Sequence, residues 1–193
     1  MSYQRRGDWI QTFTGQQFWP LDPLVEEVHL EDIAHALSNL CRFTGHVRAF
    51  YSVAQHSILV SQMCGRLEEQ RWGLLHDAGE AYLGDQARPL KGILYLGGGT
   101  RLTRFHLAEE RVLRCVALRF GLPERIPGAV RLADKQALRA EAETLMGPAS
   151  QEWASRLPEY LPRVTIEPWS PERAKREFLA RFAELFVEGV ACR

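Results

Sequence analysis

The residues of this chain best suited to chemistry lie in one short segment, where a histidine and an aspartate are adjacent. His76 and Asp77 follow two leucines, and Glu80 and Asp85 complete a stretch of ten residues. An ionised carboxylate removed from water usually finds a cation or a metal ion, because burial without a partner is costly. Consecutive side chains on a helix diverge by about 100°, so His76 and Asp77 can reach one ion. Glu80 lies one turn beyond His76 and shares its face. The segment is therefore predicted to be a site.

Two further side chains of the same chemistry occupy inward positions on other predicted helices. His56 falls within the apolar stripe of a helix for which Ser52 is the expected N-cap. Asp134 falls on the stripe that periodicity assigns to the interior of a later helix. With His76 and Asp77 they form a set of two imidazoles and two carboxylates. Such a set suits a borderline or hard divalent metal such as zinc, cobalt, manganese, iron or nickel.

The elements that must position these side chains are predicted to be mainly helical. Periodicity and capping signals predict helices over residues 30–40, 52–64, 68–82, 103–120, 127–146 and 170–187, and a weak helical piece over 150–156. Residues 9–19 are typical of a hairpin, and residues 163–167 of a strand that could pair with it in a small antiparallel element. Residues 88–91 and 97–99 are expected to form a loop region. The prediction is one mainly α domain over residues 1–193.

Composition excludes several classes of function. A chain of 193 residues with 46% apolar residues and zero formal net charge has no broad field that favours nucleic acid polymers or membrane lipid. The four cysteines form no C-x-x-C pair, so neither a zinc ribbon nor a disulfide framework is indicated. Neither a signal peptide nor an apolar run near 18 residues is evident, so a cytoplasmic location is expected.

The order His…His-Asp…Asp resembles the signature of the HD superfamily of metal-dependent phosphohydrolases. The stretches Tyr51–Ser57 and His76–Asp85 resemble its nucleotide-hydrolysing branch, which includes 5′-deoxynucleotidases and phage-type deoxynucleoside triphosphate phosphohydrolases. The similarity covers roughly residues 30–145. The resemblance implies a single HD-domain helical bundle and hydrolysis of a nucleotide phosphate by metal-activated water. It also implies a homodimer or higher homo-oligomer as a possible assembly.

The resemblance assigns a role to each matching position. Position by position, it makes His56, His76, Asp77 and Asp134 metal ligands, Glu80 and Asp85 the acids that activate or position water, and Arg42, Phe43, Pro89 and Lys91 substrate contacts. The family typically has Trp where this chain has Phe43, so stacking is kept and an N–H donor is lost. Magnesium joins the candidate metals if the substrate is rich in phosphate.

Other interpretations of these residues stay open. Glu80 could be a structural partner of a cation, Asp85 a loop cap, Arg42 a surface charge and Phe43 a core residue. His46 could contact substrate or cap a loop. The run that begins at residue 101 and ends at 114 is most simply a solvated helix face carrying several arginines.

Several functions are compatible with the ligand set. The leading one is hydrolysis of a deoxynucleotide, either a 5′-monophosphate or a triphosphate such as dATP, and the charges of Arg88 and Lys91 suit more than one phosphate. Alternatives are a catalytically weak nucleotide-binding protein and a phosphodiesterase acting on another phosphoester. The Gly-Tyr-Pro signature and additional metal histidines of cyclic-dinucleotide phosphodiesterases are not evident, and a di-iron oxygenase would also need extra ligands.

Overall fold

The computed structural model describes residues 5–97, 102–148, 156–159 and 165–186. Its helices are α1 (Leu30–Asn39), α2 (Val53–Met63), α3 (Leu67–Leu75), α4 (Glu80–Leu83), α5 (Arg88–Lys91), α6 (Phe105–Arg119), α7 (Gly128–Leu145) and α8 (Pro171–Phe186). Two antiparallel hairpins pair β1 (Ile10–Gln11) with β2 (Gln17–Phe18) and β3 (Tyr95–Leu96) with β4 (Thr103–Arg104). The prediction of a mainly α fold is therefore confirmed. Within the described ranges, no helix is long and apolar enough to cross a membrane.

Helix α2 lies at the centre of the bundle. It packs against α1, α3, α7 and α8, and most of its residues are buried. The predicted N-cap is confirmed, because the Ser52 hydroxyl accepts a hydrogen bond of 3.1 Å from the Gln55 backbone N–H. His56 is fully buried on this helix. A side chain on α2 can therefore meet groups from several other helices at once.

Gly73 allows α3 to approach α2 very closely. A Cβ atom built on Gly73 would lie 2.8 Å from Cα and 2.9 Å from the backbone N of Ser61. These distances are shorter than real Cβ contacts, so only glycine fits at this position. Helices α2 and α3 are antiparallel and are joined by a short connection. The close contact at Gly73 therefore also sets the distance between His56 and His76.

The predicted helix over residues 68–82 is interrupted at the His-Asp pair. Helix α3 ends at Leu75, and the backbone continues with tighter bonds, from Ala78 N–H to Leu75 O at 3.0 Å and from Glu80 N–H to Asp77 O at 2.9 Å. Such i→i+3 bonding winds three residues per turn instead of 3.6. The prediction of one continuous helix was wrong here, and the altered winding sets the directions of the His76 and Asp77 side chains.

The predicted strand over residues 163–167 was wrong for the part that the structure describes. Residues 165–167 are extended but join neither sheet. The side chain of Gln55 supplies their partners: its Nε2 donates to Glu167 O at 2.7 Å, and its Oε1 accepts from Trp169 N–H at 3.0 Å. Ile166 is buried beside Tyr51. The segment therefore docks on α2 instead of pairing with the N-terminal hairpin.

The region predicted to be a loop is more ordered than expected. Residues 88–91 form α5, and β3 and β4 form a second hairpin between α5 and α6. Of the glycines at 97–99, only Gly97 is described, and its φ of 102° is typical of a turn. The weak helical piece predicted for 150–156 lies outside the described residues except Arg156, which is in a turn.

Replacing Gly73 by Ala should lower the free energy of unfolding by about 1–3 kcal/mol, because the added methyl group forces two packed helix backbones apart. Thermal and urea denaturation would measure the loss. Gly65→Ala is the matched control, since nothing lies within 4 Å of the Cβ built there. Equal stability of the two variants would contradict this account of the α2–α3 contact.

Candidate metal centre

The structure brings the four predicted metal ligands to one point. Donor atoms of His56, His76 and Asp77 all lie within 4.8 Å of one another. The Nε2 atoms of His56 and His76 are 3.3 Å apart. Asp77 Oδ2 lies 3.6 Å from His56 Nε2 and 3.3 Å from His76 Nε2. Asp134 borders this cluster, with Oδ1 at 3.3 Å from His56 Nε2 and 4.0 Å from His76 Nε2. Three ligands thus form a tight cluster, and the fourth closes one side of it.

Each imidazole is oriented by a hydrogen bond from its other nitrogen. His76 Nδ1 lies 2.8 Å from Gly73 O, and His56 Nδ1 lies 2.7 Å from Glu141 Oε1. A carbonyl oxygen can only accept, so Nδ1 of His76 carries a proton and its neutral ring presents an unprotonated Nε2. The carboxylate of Glu141 imposes the same tautomer on His56. This is the arrangement by which metal-binding histidines are usually held.

The residues fit a divalent metal. Nitrogen and oxygen donors bind zinc at about 2.0–2.2 Å, so two donors to one ion lie about 2.8–3.6 Å apart at right or tetrahedral angles. The donor separations of 3.3 Å fall in this range. Two unprotonated Nε2 atoms facing each other at 3.3 Å would repel, so a cation must lie between them, either a proton or a metal. The carboxylates of Asp77 and Asp134 face the same point, and their negative charge favours a divalent metal ion over a proton.

The charge states of the ligands suit cation binding. Burial raises the pKa of both aspartates, but the charges of His76 and His56 on Asp77, and the hydrogen bond from His56 to Asp134, outweigh burial and hold both pKa values below the ordinary range. Burial and the charge of Arg42 lower the pKa of His56, yet Glu141 and Asp134 raise it to about 9. A metal ion entering the site therefore displaces a proton from His56.

Arg42 lies beside the cluster and is held by acids. Its Nη2 donates to Glu141 Oε2 at 2.9 Å, and its Nη1 lies 3.8 Å from Asp77 Oδ2. The side chain is only 11% exposed, and its Nε is buried without a hydrogen-bond partner in the described part of the chain. Arg42 is therefore not an ordinary surface charge.

Glu80 belongs to a second group of charges near the metal ligands. It is 4% exposed, and its Oε1 accepts a bond of 2.9 Å from Lys91 Nζ, which also donates to Glu109 Oε1 at 2.9 Å. The other oxygen, Oε2, is buried and has no partner among the described residues. Burial and the charge of Asp77 raise the pKa of Glu80 well above its usual value, although Lys91 opposes the shift. A proton on Glu80 at neutral pH would suit an acid that donates to a leaving group.

The remaining predicted residues lie at different distances from the centre. Asp85 follows the end of α4 at Gly84, and burial raises its pKa while Arg42, Lys91 and His56 oppose the shift. The Phe43 ring faces the Arg42 guanidinium at 5.2 Å. Pro89 is exposed at the start of α5 and has no described contact with the ligands. The structure therefore groups Asp85 and Phe43 with the site and leaves Pro89 outside it.

Two residues of the site were missed as functional candidates. They are Glu141 on α7 and Glu109 on α6. Glu141 lies seven residues after Asp134, two turns along one helix face, and that spacing was the available signal. The pairing of Glu109 with Lys91 depends on how α5 meets α6 and has no local signal.

A groove on the protein surface lies away from this centre. A surface groove of about 580 Å³ lies between α3, α6 and the start of α7. It is lined by Trp72, Leu107, Glu110, Arg111, Leu113, Arg114, Glu124, Arg125, Ile126 and Arg131. None of the predicted site residues is among them. Arg111 and Arg114 are exposed there, in keeping with the solvated helix face predicted for this stretch.

Comparison with known proteins finds relatives that match most of the chain. The uncharacterized protein YfdR of Escherichia coli (strain K12) is 34% identical over 179 residues, which cover 91% of this chain and 94% of YfdR. This chain belongs to the YfdR family. The uncharacterized protein RCAP_rcc00048 of Rhodobacter capsulatus is 35% identical over 151 residues, covering 72% of this chain and 74% of that protein. No family model matches the chain.

Membership of the YfdR family brings no activity with it, because the names of both relatives state none. The resemblance to the HD superfamily stays a prediction. For this YfdR-family protein, function has to be argued from the donor atoms and charges of the metal centre.

We expect the protein to bind one Co²⁺ per chain, with a visible absorption spectrum as the readout. Loss of an outer partner of a metal ligand typically costs 10- to 100-fold in affinity, so His76→Ala, which removes a ligand, should cost at least about 100-fold. His46→Ala is the control, because His46 is exposed and lies outside the cluster. Equal affinity in both variants would exclude His76 as a ligand.

Metal-free protein should also lose stability as pH rises through the pKa of Glu80. Because the folded-state pKa of Glu80 is raised, its contribution is fully present below the unfolded pKa and is lost as Glu80 ionises. Glu80→Gln cannot ionise, so its melting temperature should exceed that of the wild type at alkaline pH, where Glu80 is charged, and match it at acidic pH, where both side chains are neutral. Glu68→Gln, an exposed change, should show no such pH-dependent gain. A pH-independent difference would contradict the raised pKa.

Proposed function

We propose that this protein is a metal-dependent phosphohydrolase that acts on nucleotides, with a deoxynucleotide 5′-monophosphate or triphosphate as substrate. The observation that carries the proposal is the convergence of four donors, His56, His76, Asp77 and Asp134, with both imidazoles fixed in the metal-binding tautomer. The ligand order resembles that of the HD superfamily, which supports the reaction class.

The four donors would hold a divalent metal. When bound, such an ion supplies a Lewis acid that polarises a phosphoryl oxygen and lowers the pKa of a water from about 15.7 towards 7. Cobalt, manganese, zinc, iron and nickel all suit this donor set, and magnesium suits it with a substrate rich in phosphate. Within the described ranges these residues form the one recognised cluster of potential ligands, which favours a single metal over the multi-metal alternatives.

Arg42 would bind the substrate phosphate. Its Nη1 lies 3.8 Å from Oδ2 of the metal ligand Asp77, and the side chain keeps 11% of its surface exposed beside the cluster. A guanidinium can bind two phosphate oxygens at once. The ring of Phe43, which faces the guanidinium at 5.2 Å, would lie next to the sugar or base.

Glu80 and Asp85 would handle the protons. Both carboxyl groups have a raised pKa because burial disfavours their charged forms. A protonated Glu80 could donate to the leaving oxygen from Oε2, which is buried and has no hydrogen-bond partner among the described residues. Lys91 donates to Glu80 Oε1, which still accepts when Glu80 is protonated, and its charge is compensated by the carboxylate of Glu109. That compensation weakens the argument that Lys91 favours a triphosphate, and both substrate classes enter the test.

The test is product formation from the four dNMPs, the four dNTPs and their ribonucleotide counterparts, with Co²⁺, Mn²⁺ or Zn²⁺ added. Phosphate, pyrophosphate and triphosphate are separated by ion exchange, which distinguishes a monophosphatase from a triphosphohydrolase. Asp77→Asn, which keeps the side-chain shape, should abolish the release. Nucleotide binding without any product would favour a binding protein, and turnover of other phosphoesters alone would favour a phosphodiesterase.

In the same assay, Arg42→Lys should raise KM by about 10- to 100-fold, because hydrogen bonds to charged groups contribute about 1.5–3 kcal/mol and Lys cannot supply the forked donor. Arg48→Lys, in the same loop but exposed, should leave KM unchanged. Equal KM values for the two variants would remove Arg42 from the substrate site.

A further inference from the structure

Glu141 is a buried charge for which the proposed reaction has no use. It is 0% exposed, and its two oxygens have different partners: Oε1 lies 2.7 Å from His56 Nδ1, and Oε2 accepts from Arg42 Nη2 at 2.9 Å. One carboxylate therefore joins a metal ligand to the residue proposed to bind phosphate. The two bonds span 85 and 99 residues of sequence, so nothing local forces them to share one acceptor.

Arg42 is compensated twice when the donors hold no metal. Glu141 contacts it at 2.9 Å, and Asp77 Oδ2 lies 3.8 Å away. Asp77 is itself one of the donors at the metal point. A divalent cation there draws the charge of Asp77 towards itself and adds positive charge at His56, next to Glu141. Both carboxylates then compensate the guanidinium less, so more of the Arg42 charge can act on a bound anion.

We propose that Glu141 is a positioning residue that couples metal binding to anion binding at Arg42. This inference rests on the proposed function, from which it takes the two ligands, a metal ion and a phosphate. It adds a coupling between the binding of one and the binding of the other. Coupling of this kind is reciprocal, so a bound anion increases metal affinity by the same factor as a bound metal increases anion affinity. A substrate phosphate would then bind well only to the metal-loaded protein.

The coupling can be measured without turnover. Co²⁺ is titrated spectroscopically into metal-free protein with and without saturating inorganic phosphate, and the ratio of the two dissociation constants is the coupling factor. Phosphate that binds cobalt directly contributes to this ratio in every variant. The effect of Glu141 is therefore the difference between the ratios of the variants. Glu141→Gln should reduce the ratio by at least about fivefold, the lower end of typical coupling factors. Glu143→Gln, an exposed change on the same helix, should keep it.

A second variant covers the case in which Glu141→Gln fails to fold. Removing one partner of a buried ion pair is more harmful than removing both, so the double variant Arg42→Met/Glu141→Gln should fold. Its ratio should also fall at least about fivefold below that of the wild type, since both residues that couple the two ligands are changed. A purely structural role would change each affinity and leave the ratio intact.

The outcomes separate the two proposals. If wild-type protein binds no Co²⁺, the metal centre fails and the coupling fails with it. If Co²⁺ binds but the ratio is the same in wild type, Glu141→Gln and Glu143→Gln, the coupling alone is overturned. A ratio reduced in Glu141→Gln, and not in Glu143→Gln, supports the role of Glu141.

Discussion

Burial of charge within a helical core is the constraint on which the rest of this structure depends. The charged groups around the centre are the carboxyl groups of Asp77, Glu80, Asp85, Glu109, Asp134 and Glu141 and the cations Arg42 and Lys91. The acids outnumber the cations, and each buried charge without compensation is costly. The raised pKa values of His56 and Glu80 let both groups keep a proton to higher pH, which offsets part of the excess in the metal-free protein. A divalent cation would offset more of it at the point where the donor atoms already converge.

The sequence was a good guide to what depends on local signals. Spacing within α2 predicts the Ser52 cap and the apolar stripe around His56, and spacing within α7 predicts the inward position of Asp134. Both helices begin and end close to the predicted residues. The order of His and Asp residues likewise pointed to a set of donors that the fold brings together. Short-range periodicity is sufficient for such features because neighbouring turns determine them.

The features that were missed depend on distant contacts. Gln55 directly precedes the ligand His56 in the sequence, yet its side chain binds the backbone at Glu167 and Trp169, which therefore join no sheet. The tight winding after Leu75 replaces a continuous helix, although the sequence pattern predicts one helix over residues 68–82. Arg42 and Glu141 meet across 99 residues. Periodicity along the chain contains no information about which side chains meet across the core.

The backbone near Arg42 shows how closely the site is specified. Phe43 and Thr44, which are not glycines, both have positive φ angles, 55° and 53°. Such conformations persist only where the surroundings enforce them, and they often occur at ligand sites. Here they turn the chain directly after Arg42 and leave the Phe43 ring against its guanidinium. The geometry of this loop and the buried ion pair to Glu141 therefore support each other.

The position of α8 has a consequence for how the protein is made. This helix packs against α1, α2 and α3, and Phe178 is fully buried among them. Every residue of the metal centre leaves the ribosome before α8 does, so the nascent chain exposes the apolar surface of α2 while its ligands are already present. Domains generally fold as units during synthesis. Final assembly of the centre therefore waits for a helix that supplies none of its ligands.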